Sequence, residues 1–234
     1  MAVPQRAVGE GQVAAPELKI LARPVSLARE RTLPVLPALA GLLPEGGLRR
    51  GSTVAVSGGT SLALALLAAP SQAGSWCAAV GLPSLGLVAA AEVGVALERF
   101  PLVARPGEDW PAVVATLVDA VDVVLVQLPR HIRSGDARRL AAKARDRGAV
   151  LVTTGGSFSA DVRLSVVNCA WEGLGRGHGR LRARRMDVVA TGRGAAARER
   201  RVSLWLPAAD GGVERLSCDK RGSSALDARK SAVS

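Results

Sequence analysis

Apolar residues fall into short blocks separated by glycine, proline and charge, and two kinds of block alternate. Residues 52–56 form a β-branched run ending in Ser57-Gly58-Gly59. Residues 60–69 follow at once, rich in Leu and Ala, with Thr60 or Ser61 able to cap them. The pattern predicts strand, glycine turn, helix. Residues 75–81 predict a buried strand, 85–94 a helix and 100–104 a third strand. A helix over 109–120 has Asp109 as N-cap and Pro111 near its start. Residues 121–128 are apolar on both faces, as a central parallel strand requires. An amphipathic helix over 134–147, capped by Ser134 or Asp136 and ended by Gly148, leads to a buried strand over 149–154. Past the small loop 155–160 the helical period disappears. Residues 161–171, 180–191 and 201–207 predict consecutive strands joined by Gly- and Arg-rich turns. The order implies an α/β fold: a mainly parallel sheet flanked by helices and extended by antiparallel C-terminal strands. Residues 1–31 read as an N-terminal tail with a possible helix over 17–31. Residues 32–207 read as the core, entered through a turn-rich stretch holding Pro34, Pro37 and Pro44. Residues 208–234 read as a flexible C-terminal tail.

A length of 234 residues fits one domain with tails, and 48% apolar residues suffice for a core. Aromatics are 3% and tyrosine is absent, so small aliphatic side chains must build that core. Recognition by several stacked aromatics is disfavoured for the same reason. The net charge is +11, and all but four of the 31 basic residues are arginine. More than half of the excess lies in residues 171–201, where nine arginines face Glu172, Asp187 and Glu199. Such a cluster is the footprint of a polyanion or of an acidic protein surface. Cys77, Cys169 and Cys218 make no CxxC pair and no zinc spacing, so no metal site and no disulfide framework is expected. His131 and His178 stand alone, without ligand-spaced Cys, Asp or Glu. The four tryptophans read as packing residues, any exposed one being an interface anchor. With no signal-peptide pattern and no apolar run of membrane length, the expected location is the cytoplasm.

The glycine turn is where chemistry would be sought. A phosphate loop, GxxxxGK[ST], closes backbone N–H groups on phosphates, reaches them with Lys and holds magnesium with Ser or Thr. Ser57, Gly58, Gly59, Thr60 and Ser61 supply glycines and hydroxyls but no Lys, and the turn is too short to wrap a triphosphate. The strand over 121–128 ends in Gln127-Leu128-Pro129, where a carboxylate would order the metal, while Asp119 and Asp122 belong at its opposite end. The second strand ends in Gly81-Leu82-Pro83, without a carboxylate to activate water. No catalytic residue and no cofactor is therefore expected. Ser57 and Ser61 also lack a His/Asp pair for hydrolase chemistry.

The lead-in Leu42-Leu43-Pro44-Glu45-Gly46-Gly47-Leu48-Arg49-Arg50-Gly51 precedes Val54-Ala55-Val56-Ser57-Gly58-Gly59-Thr60-Ser61-Leu62. Gly74-Ser75-Trp76, Leu97-Glu98-Arg99-Phe100, residues 122–126, Arg147-Gly148-Ala149 and residues 186–194 follow in order. Over residues 40–207 this series resembles the RecA-like ATPase core, and most closely the ImuA-type mutagenesis proteins of actinobacteria. The resemblance implies a degenerate RecA-like core and an accessory role in SOS-induced translesion DNA synthesis. The implied partners are a Y-family-like polymerase homologue and an error-prone C-family polymerase. DNA is a further candidate partner, and the implied setting is a cytoplasmic protein that joins the nucleoid during DNA damage. The segments matching the DNA-holding loops of RecA are residues 129–135, with Arg130, His131 and Arg133, and residues 155–160, with no basic residue. The arginine hairpin adds Arg176, Arg180, Arg182, Arg184 and Arg185 as candidate contacts to DNA or a protein partner. The competing expectations are a nucleotide-driven RecA-like motor and a nonspecific basic DNA-binding protein.

Overall fold

The computed structural model of the chain describes residues 32–175 and 178–216. Expectations placed on residues 1–31, on Arg176, on the side chain of His178 and on residues 217–234, Cys218 included, lie outside the described residues.

The lead-in is short and tied down. Strands β1 (Thr32–Leu33) and β2 (Leu48–Arg49) pair antiparallel around a one-turn helix α1 (Pro37–Ala40). Pro37 starts that helix, where its missing N–H is no loss. Leu39, Leu42, Leu43 and Leu48 go fully into the core. Then come β3 (Thr53–Ser57), α2 (Thr60–Gln72), β4 (Cys77–Val80), α3 (Leu87–Glu92), β5 (Leu102–Val103) and α4 (Trp110–Ala120). The series continues with β6 (Val123–Gln127), α5 (Ser134–Arg147), β7 (Val150–Thr154), β8 (Val162–Gly175), β9 (His178–Gly192), β10 (Arg200–Trp205) and β11 (Glu214–Arg215).

Nine strands form one sheet in the order β11-β10-β9-β8-β3-β7-β6-β4-β5. From β8 to β5 all pairs are parallel, and from β8 to β11 all are antiparallel. The α/β class and the antiparallel extension match the sequence expectation. Strand β6 is buried on both faces because helices cover both. Cys77, Ala79, Val123, Leu125, Val150 and Val152 meet the α2 side, and Ala78, Val80, Val124, Val126 and Leu151 meet α4 and α5. Leu62–Ala68 of α2 is buried without a break, as for a helix apolar all round. Each such leucine contributes on the order of 1.5–3 kcal/mol. Helix α5 is charged and buries only Leu140 and Ala144.

Charge organises the edge opposite the glycine turn. Asp122, 3% exposed, accepts from Arg50 Nη1 at 2.9 Å and from the Trp76 N–H at 3.1 Å. Asp161 accepts from the Thr53 N–H at 2.8 Å and from Thr53 Oγ1 at 2.9 Å, which fixes the entry of β8 beside β3. On the surface Asp119 joins α4 to α5 through Lys143 (2.6 Å) and Arg147 (2.8 Å).

Three details differ from the sequence expectation. Helix α2 runs through Pro70 to Gln72, because a proline in the last turn removes a single ladder bond and its ring is buried. Helix α5 has Arg133 at its N-cap with no side-chain cap, rather than Ser134 or Asp136, while Gly148 closes it in the left-handed conformation (φ 68°) as expected. The sheet also continues past residue 207. Glu214–Arg215 pairs with β10, the Ala208 N–H donates to the Gly212 carbonyl, and Ala208 is buried.

Candidate functional site

Ligands of open α/β sheets bind beyond the carboxyl ends of the strands, where the strand order reverses. Strand β3 lies at that point. Its outgoing chain crosses to β4, whereas its neighbours are β7 and β8. The glycine turn emerges there. Gly58 takes φ +93°, a conformation that favours glycine, and a Cβ on it would lie 2.6 Å from Val166 Cβ of β8. A Cβ on Gly59 would touch the Met186 methyl of β9 at 3.6 Å. The glycines thus let two apolar side chains of the antiparallel strands approach the backbone. Ser57 Oγ turns the same way and bonds Ser165 Oγ at 3.0 Å.

The N-cap of α2 is Gly59 rather than Thr60 or Ser61, among the described residues no side chain caps it, and Thr60 is exposed. The cation that reaches this end comes from 123 residues away. Arg184 Nη2 donates to Ser61 Oγ, Arg184 Nε donates to the Leu206 carbonyl at 2.7 Å, and the guanidinium lies over the Trp171 ring, 5.2 Å from its centroid. Beside it opens a cavity of ≈ 450 Å³, within the usual range for ligand pockets. Its walls are apolar (Leu64, Leu82, Leu85, Val93, Leu206), with Thr60, Ser61, Gln127 and Glu92 as polar groups. The position at the end of β6 is Gln127, as read from the sequence, so no carboxylate stands there. Thr154 Oγ1, at the end of the adjacent strand β7, is buried and has no hydrogen-bond partner among the described residues.

The second feature is an arm. Strand β3 pairs with β8 only as far as Ser57–Ser165, whereas β9 stays bonded on its other side as far as Arg184, whose N–H donates to the Pro207 carbonyl and whose carbonyl accepts from the Leu206 N–H. Beyond those bonds β8 and β9 continue as a two-stranded ribbon past the carboxyl edge of the parallel strands. Arg180, Arg182 and Arg185 are exposed on it, and Arg184 at its base is half-buried. Arg185 lies 3.9 Å from Asp187, and among the described residues Arg180 and Arg182 have no ion-pair partner. Trp171 (45%) and Leu181 (45%) are exposed there too. Arg130 and Arg133 are exposed at the same edge of the sheet, after β6, three strand positions and about 14 Å from β8. The structure therefore gathers Arg180, Arg182, Arg184 and Arg185 on the arm and leaves Arg130 and Arg133 apart from it.

Of the tryptophans, Trp76 and Trp171 are about half exposed, while Trp110 and Trp205 are partly covered. Cys77 is fully buried, and burial, helped by the nearby Asp122 charge, pushes its thiol up to about 12. Cys169 is exposed on the arm. Among the described residues no three His, Cys, Asp or Glu side chains come together as a metal site, and no helix is long and apolar enough to cross a membrane. Sequence reasoning missed the Arg184–Ser61 contact and the cavity. Both join segments more than a hundred residues apart, and no local signal marks either.

Residues 41–159 match the family model described as the MT3502 N-terminal domain. The match takes in the elements from β2 to β7 and leaves out β1 and α1 of the lead-in and every strand from β8 onward. The chain is also similar to the uncharacterized protein Rv3395c of Mycobacterium tuberculosis, at 34% identity over 162 residues, covering 68% of this chain and 79% of the relative.

Proposed function

The chain belongs to the MT3502 N-terminal domain family, and on that premise we propose that it is a RecA-like scaffold without ATPase chemistry, which assembles the components of SOS-induced translesion synthesis. The single observation that carries the scaffold reading is the make-up of the turn after β3, where Ser57–Ser61 holds no lysine and Val166 of β8 packs so close to Gly58 that a Cβ there would lie 2.6 Å from it. Gln127 at the end of β6 supports it. The repair setting and its polymerase partners rest on the resemblance of residues 40–207, an analogy at the level of family. Nucleoid association during DNA damage belongs to the same proposal. The mechanism is assembly. One chain that binds two components raises the effective concentration of each for the other.

The nucleotide-driven motor has one observation in its favour. Arg184 brings a cation to Ser61 at the start of α2, where a phosphate loop would hold its lysine. That guanidinium is already engaged by Ser61, Leu206 and Trp171, which favours a structural post.

Co-purification tests the proposal. The full chain, expressed with the polymerase homologue of its cassette, should hold that protein after nuclease digestion. A complex that falls apart once DNA is removed would leave only nonspecific DNA binding by the net charge.

A further inference from the structure

Between Ser165 and Trp171 strand β8 reads Ser-Val-Val-Asn-Cys-Ala-Trp, without charge, proline or glycine. Register shifts fall between Val166 and Asn168 and between Glu172 and Leu174. They bracket Asn168–Glu172 as five residues in regular pairing with β9, the length of an ordinary strand. All five are exposed. On the side away from β9, no strand among the described residues pairs with them, since β3 ends at Ser57. Proteins usually guard such an edge with charge or proline, because its open N–H and C=O groups recruit any passing strand. Here Glu172 alone, at the far end, does so. Opposite Asn168–Trp171, β9 is held on its other side by β10 and Leu206–Pro207, so this stretch of β8 is an open edge of a larger sheet, and only past Glu172 is the ribbon two-stranded.

We propose that the Asn168–Glu172 edge of β8 is a docking site for an extended, acidic segment of a protein partner, which adds to the arm as a further strand. The backbone ladder would provide affinity and the charge would select the partner. Arg185 lies on β9 opposite Ala170, two strand spacings or about 9.6 Å from an added strand and within the Debye length of about 10 Å at 0.1 M salt, and Arg182 and Arg180 follow along β9 just past Glu172. The exposed ring of Trp171 offers an apolar contact to alternate side chains of the incoming strand. A nucleic acid would satisfy the arginines but not the open backbone edge, so a peptide fits more of the surface. The inference deepens the scaffold reading by naming its contact surface, and it stands or falls apart from the identity of the polymerase partner.

The test uses the full-length protein and a fluorescein-labelled (Glu-Val)6 peptide at 0.1 M salt. Saturable binding is expected, with hydrogen-exchange protection appearing at residues 168–172. Affinity should fall at least tenfold in the R180E/R182E double variant, which should now bind (Lys-Val)6 instead. A (Glu-Pro)6 peptide, whose prolines lack the N–H of a ladder, should not bind. Equal binding of (Glu-Pro)6, displacement by a dT20 oligonucleotide at equal charge concentration, or absence of protection at 168–172 would each overturn the inference. Loss of the polymerase complex with this binding intact would count against the scaffold reading alone.

Discussion

The parallel strands and the arm belong to one sheet but hold together in different ways. Strands β3, β7, β6 and β4 are covered on both faces, and their side chains make two apolar layers with α2 on one side and α4 and α5 on the other. The distal arm has no such layers. Val167, Trp171 and Leu181 stay exposed, and beyond Trp171 and Arg184 its backbone pairs along a single interface. Burial fixes the first region, whereas strand pairing and the anchor of Arg184 at its base sustain the second. A surface of the second kind suits recognition, since its groups are open, while the first suits support.

The sharpest contrast is between two leucines. Leu66→Ala in α2, fully buried, should lower stability by about 2–5 kcal/mol in urea unfolding. Leu181→Ala on the arm should change it by no more than about 0.5 kcal/mol. Equal costs would mean that the arm is part of the core. Gly58→Ala comes next and probes the junction of the two regions. The positive φ and the Val166 contact together should cost about 1–3 kcal/mol, and adding Val166→Gly, which removes the Cβ that the new methyl meets, should recover only the contact part. Full recovery would show that the backbone conformation carries no strain.

The thiols divide along the same line. At pH 8 iodoacetamide should label Cys169 in the native protein and leave Cys77 untouched until unfolding, as peptide mapping would show. Burial keeps the Cys77 thiol neutral, so its folded pKa, about 12, lies above the unfolded value near 9. Its share of stability is whole below pH 9 and is lost as pH rises toward 12. A C77A variant should lose that alkaline slope. The smallest effect belongs to the surface clip of Asp119. Its bonds to Lys143 and Arg147 hold its carboxyl below the usual range. Asp119→Asn should cost less than about 1 kcal/mol near neutral pH, and the difference should vanish as pH falls through the lowered pKa of Asp119.

The same division decides what could be read in the sequence. Residues 121–128 and 149–154 announced buried strands because both faces of β6 and β7 are covered, and a strand apolar throughout has few other places to go. The missing loop lysine and Gln127 were likewise plain, being local. The role of Gly58 was not. A glycine turn before a helix reads the same whether it receives a phosphate or a valine, and Val166 lies 108 residues away. Arg184 read as one more exposed arginine of a charged hairpin, and only the fold brings it to Ser61 and Trp171. Strand β11 was hidden by polar composition, because a two-residue edge strand needs no apolar period.

In the proposed scaffold role the turn after β3 holds no nucleotide and the protein works through its outer surfaces. Calorimetric titration of the purified full chain with ATP and magnesium, with and without single-stranded DNA, tests it most directly, followed by a phosphate-release assay on the same samples. No saturable heat and no turnover are expected. Saturable binding with DNA-stimulated hydrolysis would contradict that role and would turn Arg184 from a structural post into the cation of a working phosphate site.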